Sequence, residues 1–203
     1  MNPVNNLPNI LTIFRIVIIP ILIASFYIQG LVAHIVVATL FAVACITDYF
    51  DGYLARLMKL QSNFGRCLDP IADKLIVVVA IVMLINFNSH NPWILFPGLI
   101  IICRELMVSG LREFLAEIQV TVAVSKLSKY KTMVQMVAIT GLLLGEKGSN
   151  YTVQNLIGNY LEMDSKILIV AIIINLAKIL FCLAAFLTII TGYRYWQIGF
   201  AKM

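Results

Sequence analysis

Charge is what this chain has least of. Asp and Glu number 10 and Lys and Arg 15 in 203 residues, so 12% of positions are charged, about half the ~25% of a soluble globular domain. That deficit places the chain in the membrane class and argues against an ordinary water-soluble fold. Four cysteines (Cys45, Cys67, Cys103, Cys182) are scattered with no CxxC pair. They read as small apolar packing residues and not as a disulfide framework or a zinc site. The opening MNPVNNLPN lacks the basic n-region of a secretory signal, and no Arg-rich, Ser-rich transit peptide is present. The net charge of +5 is not gathered into a stripe or tail, which removes the electrostatic footprint of a nucleic-acid binder. There is no repeat, low-complexity tract or soluble-domain composition, so residues 1–203 read as a single transmembrane domain.

What is abundant is hydrocarbon: 61% of residues are hydrophobic, with a mean hydropathy of +0.95. About 20 apolar residues cross a bilayer as helix, and on that scale the sequence predicts six spans, near 9–28, 32–56, 66–87, 93–116, 129–146 and 166–194. Pro20 falls inside the first, while Pro92 and Pro97 bracket the start of the fourth. An even number of spans puts both termini on one side. That side receives Arg15, Arg56, Lys59, Arg66, Lys74, Arg104, Arg112, Lys126, Lys129, Lys131, Arg194 and Lys202; Lys147, Lys166 and Lys178 fall towards the other. By the positive-inside rule both termini are expected in the cytoplasm. Lys178, in an apolar run, is expected to snorkel outward. The polar segment 147–165 is the one long connection, and TVQNLIGNYL within it suits a short interfacial helix. GLLLG at 141–145 has the small-xxx-small spacing of close helix approach, within the chain or between two copies.

Against this background four of the ten acids crowd into one 26-residue stretch: Asp48, Asp51, Asp69 and Asp73, in TDYFDGYLARLMKLQSNFGRCLDPIADK. Carboxylates beside hydrocarbon are costly and point to function. Offsets of three and four put Asp48, Asp51, Gly52 and Ala55 on one face at the end of span two, and Gly65, Asp69 and Asp73 on one face at the start of span three. A short hairpin joins the helices, so the faces can meet. Clustered hard oxygens suit Mg²⁺ or Mn²⁺, and two such ions would neutralise four carboxylates and clamp a displacement at phosphorus. Gly52 and Gly65 give clearance for a ligand, and Arg56 presents a fork suited to phosphate oxygens.

The complete spacing, D-x2-D-G-x2-A-R-x8-G-x3-D-x3-D, resembles the signature of the CDP-alcohol phosphotransferase family at every fixed position. The resemblance implies an all-α integral membrane enzyme of six transmembrane helices, commonly a homodimer, with a cytoplasm-facing polar cavity and a requirement for Mg²⁺ or Mn²⁺. It implies that Asp48, Asp51, Asp69 and Asp73 bind metal, with Asp73 also the general base. Gly52, Ala55 and Gly65 would border the cytidine nucleotide and Arg56 its phosphates. Asn9, Thr12 and Arg15 match the family's opening pattern and would touch the donor phosphates.

The acceptor has to be read elsewhere. Arg104, Glu105, Arg112 and Glu113 close span four, and KLSKYKTMVQM opens span five. Arg104, Arg112, Lys129 and Lys131 are cations able to hold an anionic acceptor. NLPNILTIFRIVIIP, FGRCLDPIADK, CRELMVSGLREF and VSKLSKYKTMVQM are similar to the bacterial phosphatidylglycerophosphate synthases of that family; the likeness fades across 147–170. It implies transfer from CDP-diacylglycerol to glycerol 3-phosphate, in a bacterial plasma membrane. The alternatives are the same chemistry with phosphatidylglycerol, inositol phosphate or serine as acceptor. A cation transporter is the reading from another class, although its acids would sit at one membrane face only.

Overall fold

The computed structural model describes residues 7–28, 31–58, 63–88, 91–119, 126–145 and 165–200. Among them are six helices and no strand: α1 Leu7–Ser25, α2 Leu31–Met58, α3 Asn63–Phe87, α4 Pro92–Glu117, α5 Lys126–Leu143 and α6 Ser165–Phe200. Each covers one of the six apolar spans. The proposed interfacial helix, with most of 147–165, lies outside the described residues. Two helices, Pro92–Glu117 and Ile172–Gln197, are long and apolar enough to cross a membrane, and Thr12–Ser25 and Ala33–Asp48 are shorter apolar segments.

Local chemistry sets several of the ends. Asn91 caps α4, its side chain accepting from the Trp93 amide at 3.1 Å, and Pro92 occupies the first turn, where no backbone donor is needed. The helix stops at Ile118 and Gln119; Gln119 takes a left-handed φ of 59° and its amide donates to the Ala116 carbonyl at 3.0 Å. Helix α1 continues through Pro20, on an exposed face. Helix α6 runs 36 residues, to Phe200, beyond the expected end near 194. The reason is packing: Tyr195 is buried, and a Cβ on Gly199 would lie 3.1 Å from the Leu111 side chain, so the polar end still has a helix to lean on.

The chain divides into two compact units, Met1–Met83 and Leu84–Met203. In the first, α1 packs on α2 across Leu22, Phe26, Val37 and Phe41, all buried. In the second, α6 packs on both α4 and α5. Arg104 lies against Gly192 and Leu111 against Gly199, so α4 and α6 run parallel. Gly141 lies against Ala177 and Gly145 against Ile174, so α5 runs antiparallel to α6. A Cβ at Gly141 would stand 2.8 Å from the Ala177 Cβ; GLLLG is therefore used for close approach within the chain.

The packing is inverted relative to a water-soluble bundle. Only 22% of the apolar window of Pro92–Glu117 and 33% of that of Ile172–Gln197 is buried. Large apolar side chains such as Trp93, Phe96, Ile179 and Phe186 lie outside, while Thr12, Arg15, Lys131, Gln135, Thr188 and Thr191 are buried. Water penalises such an outer face; hydrocarbon does not.

Candidate active site

In the first unit the motif is carried on unbroken helix. Helix α2 extends to Met58, so Asp51, Gly52, Ala55 and Arg56 continue the turns that begin at Asp48; α3 begins at Asn63, so Gly65, Asp69 and Asp73 follow at four-residue steps. Side chains are described at Asp48 and Asp73; those of Asn9, Asp51, Ala55, Arg56 and Asp69 lie outside the described residues. Asp48 and Asp73 both bear electrostatically on the thiol of Cys45, one turn before Asp48. Carboxylate oxygens such as those of Asp48 and Asp73 are hard donors of the kind that Mg²⁺ and Mn²⁺ take. Among the described residues no group of three His, Cys, Asp or Glu side chains completes a metal site.

The side chain behind Asp48 is Arg15. Its Nη1 donates to Asp48 Oδ1 in a salt bridge between α1 and α2. Arg15 is 1% exposed, whereas the Asp48 side chain keeps 38% of its surface. Thr12, one turn earlier, is buried on the same face. The family resemblance grouped Thr12 and Arg15 near donor phosphates; among the contacts of Arg15 is the Asp48 carboxylate.

In the second unit a polar network links the three helices. Glu105 of α4 accepts from Lys131 Nζ of α5 and lies 3.8 Å from Arg104 Nη1. Arg104 Nη2 donates to Thr191 Oγ1 of α6 at 3.0 Å, and Thr191 in turn donates to the Leu187 carbonyl at 2.9 Å. The buried Tyr195 ring has Arg104 5.8 Å and Arg112 6.0 Å from its centre, within cation–π range. Of the four cations named for the acceptor, Lys131 is fully buried and Arg104 largely so, while Arg112 and Lys129 are exposed. Inside the network Arg104 and Lys131 both approach the carboxylate of Glu105. Gln135 Oε1, Thr188 Oγ1 and Arg104 Nε are buried with no hydrogen-bond partner among the described residues.

Sequence reasoning placed Glu105 beside Arg104 at the end of span four but missed its bond to Lys131, and missed Gln135, Thr188, Thr191 and Tyr195. A signal existed for some of these. Gln135 follows Lys131 by one turn, and Thr188 and Thr191 are polar at three-residue spacing in a run that is otherwise apolar.

The comparisons with known proteins agree with this architecture. The CDP-alcohol phosphatidyltransferase family model matches residues 5–190. The chain belongs to that family. Among curated relatives, the CDP-diacylglycerol–glycerol-3-phosphate 3-phosphatidyltransferase of Rickettsia bellii is 47% identical over 192 residues, 95% of this chain and 94% of the relative. The Rickettsia felis protein of the same name is 45% identical with the same coverage. That of Salmonella choleraesuis is 44% identical over 140 residues, 68% of this chain and 76% of its own. The family match contains every aspartate of the motif and both polar clusters up to Thr188.

Proposed function

We propose that this CDP-alcohol phosphatidyltransferase moves the phosphatidyl group of CDP-diacylglycerol to glycerol 3-phosphate, releasing CMP. The carrying observation is the motif carried on unbroken helix in α2 and α3. The relatives bearing that activity in their names cover nearly the whole chain. The reading includes six membrane spans with both termini cytoplasmic, in a bacterial plasma membrane, and a homodimer. The alternating directions of α4, α5 and α6 support the topology, as does the surplus of Lys and Arg on the terminal side.

Asp48, Asp51, Asp69 and Asp73 would hold Mg²⁺ or Mn²⁺, which offsets charge on the diphosphate and on departing CMP. Gly52, Ala55 and Gly65 leave room for the cytidine nucleotide beside helix backbone, Arg56 binds its phosphates and Asn9 borders the donor. Asp73 takes the proton of the attacking hydroxyl. The hydroxyl oxygen bonds to the lipid-side phosphorus as the bond from that phosphorus to the CMP oxygen breaks. Charge balances, with the proton on Asp73 and the electron pair on CMP. Arg112, Lys129, Lys131 and Arg104 hold the phosphate of the acceptor.

The test is CMP release by purified protein with CDP-diacylglycerol and Mg²⁺, each candidate alcohol supplied separately. Release with glycerol 3-phosphate alone supports the reading. Release with serine, inositol phosphate or phosphatidylglycerol instead replaces the acceptor, and cation flux without any CMP replaces the enzyme by a transporter.

A further inference from the structure

We infer that Arg15 is a positioning residue for metal binding, acting through Asp48, and that it is not a ligand of the donor phosphates. This rests on the metal reading of the aspartates given above. A guanidinium buried to 1% exposure in an apolar helix pair is tolerated only with a partner, and here its Nη1 is on Asp48 Oδ1. The asymmetry of the pair distinguishes its role from plain structural pairing. Arg15 is closed off on its own side, while Asp48 stays 38% exposed. Oδ1 of Asp48 is thus held by α1 while its side chain stays partly exposed.

Two physical consequences follow. A ligating carboxylate anchored by a hydrogen bond meets its ion without first losing rotamer freedom, and loss of such an anchor commonly costs 10–100-fold in metal affinity. Arg15 also cancels one of the four negative charges of the motif. Two divalent ions then leave the site net positive, suited to a diphosphate donor.

The experiment titrates purified wild type, Arg15→Gln and Arg15→Lys with Mn²⁺ alone, reading free ion by electron paramagnetic resonance without nucleotide. The KM for CDP-diacylglycerol is then measured at saturating Mn²⁺. Arg15→Gln should bind Mn²⁺ about 10–100-fold more weakly, Arg15→Lys should fall between it and wild type, and KM at saturating metal should stay within about twofold. Unchanged Mn²⁺ affinity in Arg15→Gln with a raised donor KM would overturn the inference and return Arg15 to the phosphates. Tighter Mn²⁺ binding would overturn it too, making Arg15 a competitor of the ion. Should Arg15→Gln not fold, Arg15→Lys decides alone, because a compact ammonium on a different stem does not present its donor where Nη1 meets Asp48 Oδ1: wild-type Mn²⁺ affinity in that variant refutes the role. A wild type that binds no Mn²⁺ at all removes the metal reading, and this inference with it.

Discussion

Replacing Glu105 by Gln tests whether the network of the second unit is a structural keystone. The substitution keeps shape and removes one charge. Lys131, 1% exposed, and Arg104, 12% exposed, then face each other without the carboxylate that both approach. Breaking a buried pair by removing one partner costs about 3–5 kcal/mol. Glu105 retains 23% of its surface, so the low end applies, about 3 kcal/mol. In a chain of this size that is a fall in Tm of about 6–12 °C. The double variant Glu105→Gln/Lys131→Met removes both ends of the pair and should recover more than half of the loss, because the buried ammonium goes together with its carboxylate. The assay is thermal unfolding of the detergent-solubilised protein, arranged as a double-mutant cycle with Lys131→Met. A loss below about 1 kcal/mol in Glu105→Gln, or a double variant no more stable than it, refutes the reasoning.

Three further outcomes are expected. Gly141→Ala should destabilise by about 1–3 kcal/mol, because its Cβ would stand 2.8 Å from that of Ala177; Ala177→Gly in the same chain should restore much of the loss in a thermal melt, and additive losses would contradict the contact. Thr188→Val should be neutral or raise stability by up to about 1 kcal/mol, since its buried hydroxyl has no hydrogen-bond partner among the described residues; a clear fall in Tm would reveal a missed partner. Asp73→Asn should lower turnover by about 100-fold or more while CMP still shifts the Tm of the variant, and a near-wild-type rate would end its role as base.

The helices were legible because long apolar helices are written in length and hydropathy, which the sequence states directly; the end of α6 was not, because Tyr195 and Gly199 extend it by leaning on α4. The aspartate spacing was legible for a similar reason: helical phase is local, and Asp48 to Asp73 needs only two helices and a hairpin. The Arg15–Asp48 bond, 33 positions apart, depends on how α1 crosses α2, which no local pattern encodes. Glu105 and Lys131, 26 positions apart, were missed as a pair for the same reason. In GLLLG the pattern announced a close approach, and the partner, Ala177, emerged only from the fold.

The most direct test of the account follows the lipid product. Purified protein incubated with CDP-diacylglycerol, Mg²⁺ and isotope-labelled glycerol 3-phosphate should form phosphatidylglycerophosphate and CMP in equal amounts, with the label in the lipid. CMP without labelled lipid, or labelled lipid without CMP, would contradict it.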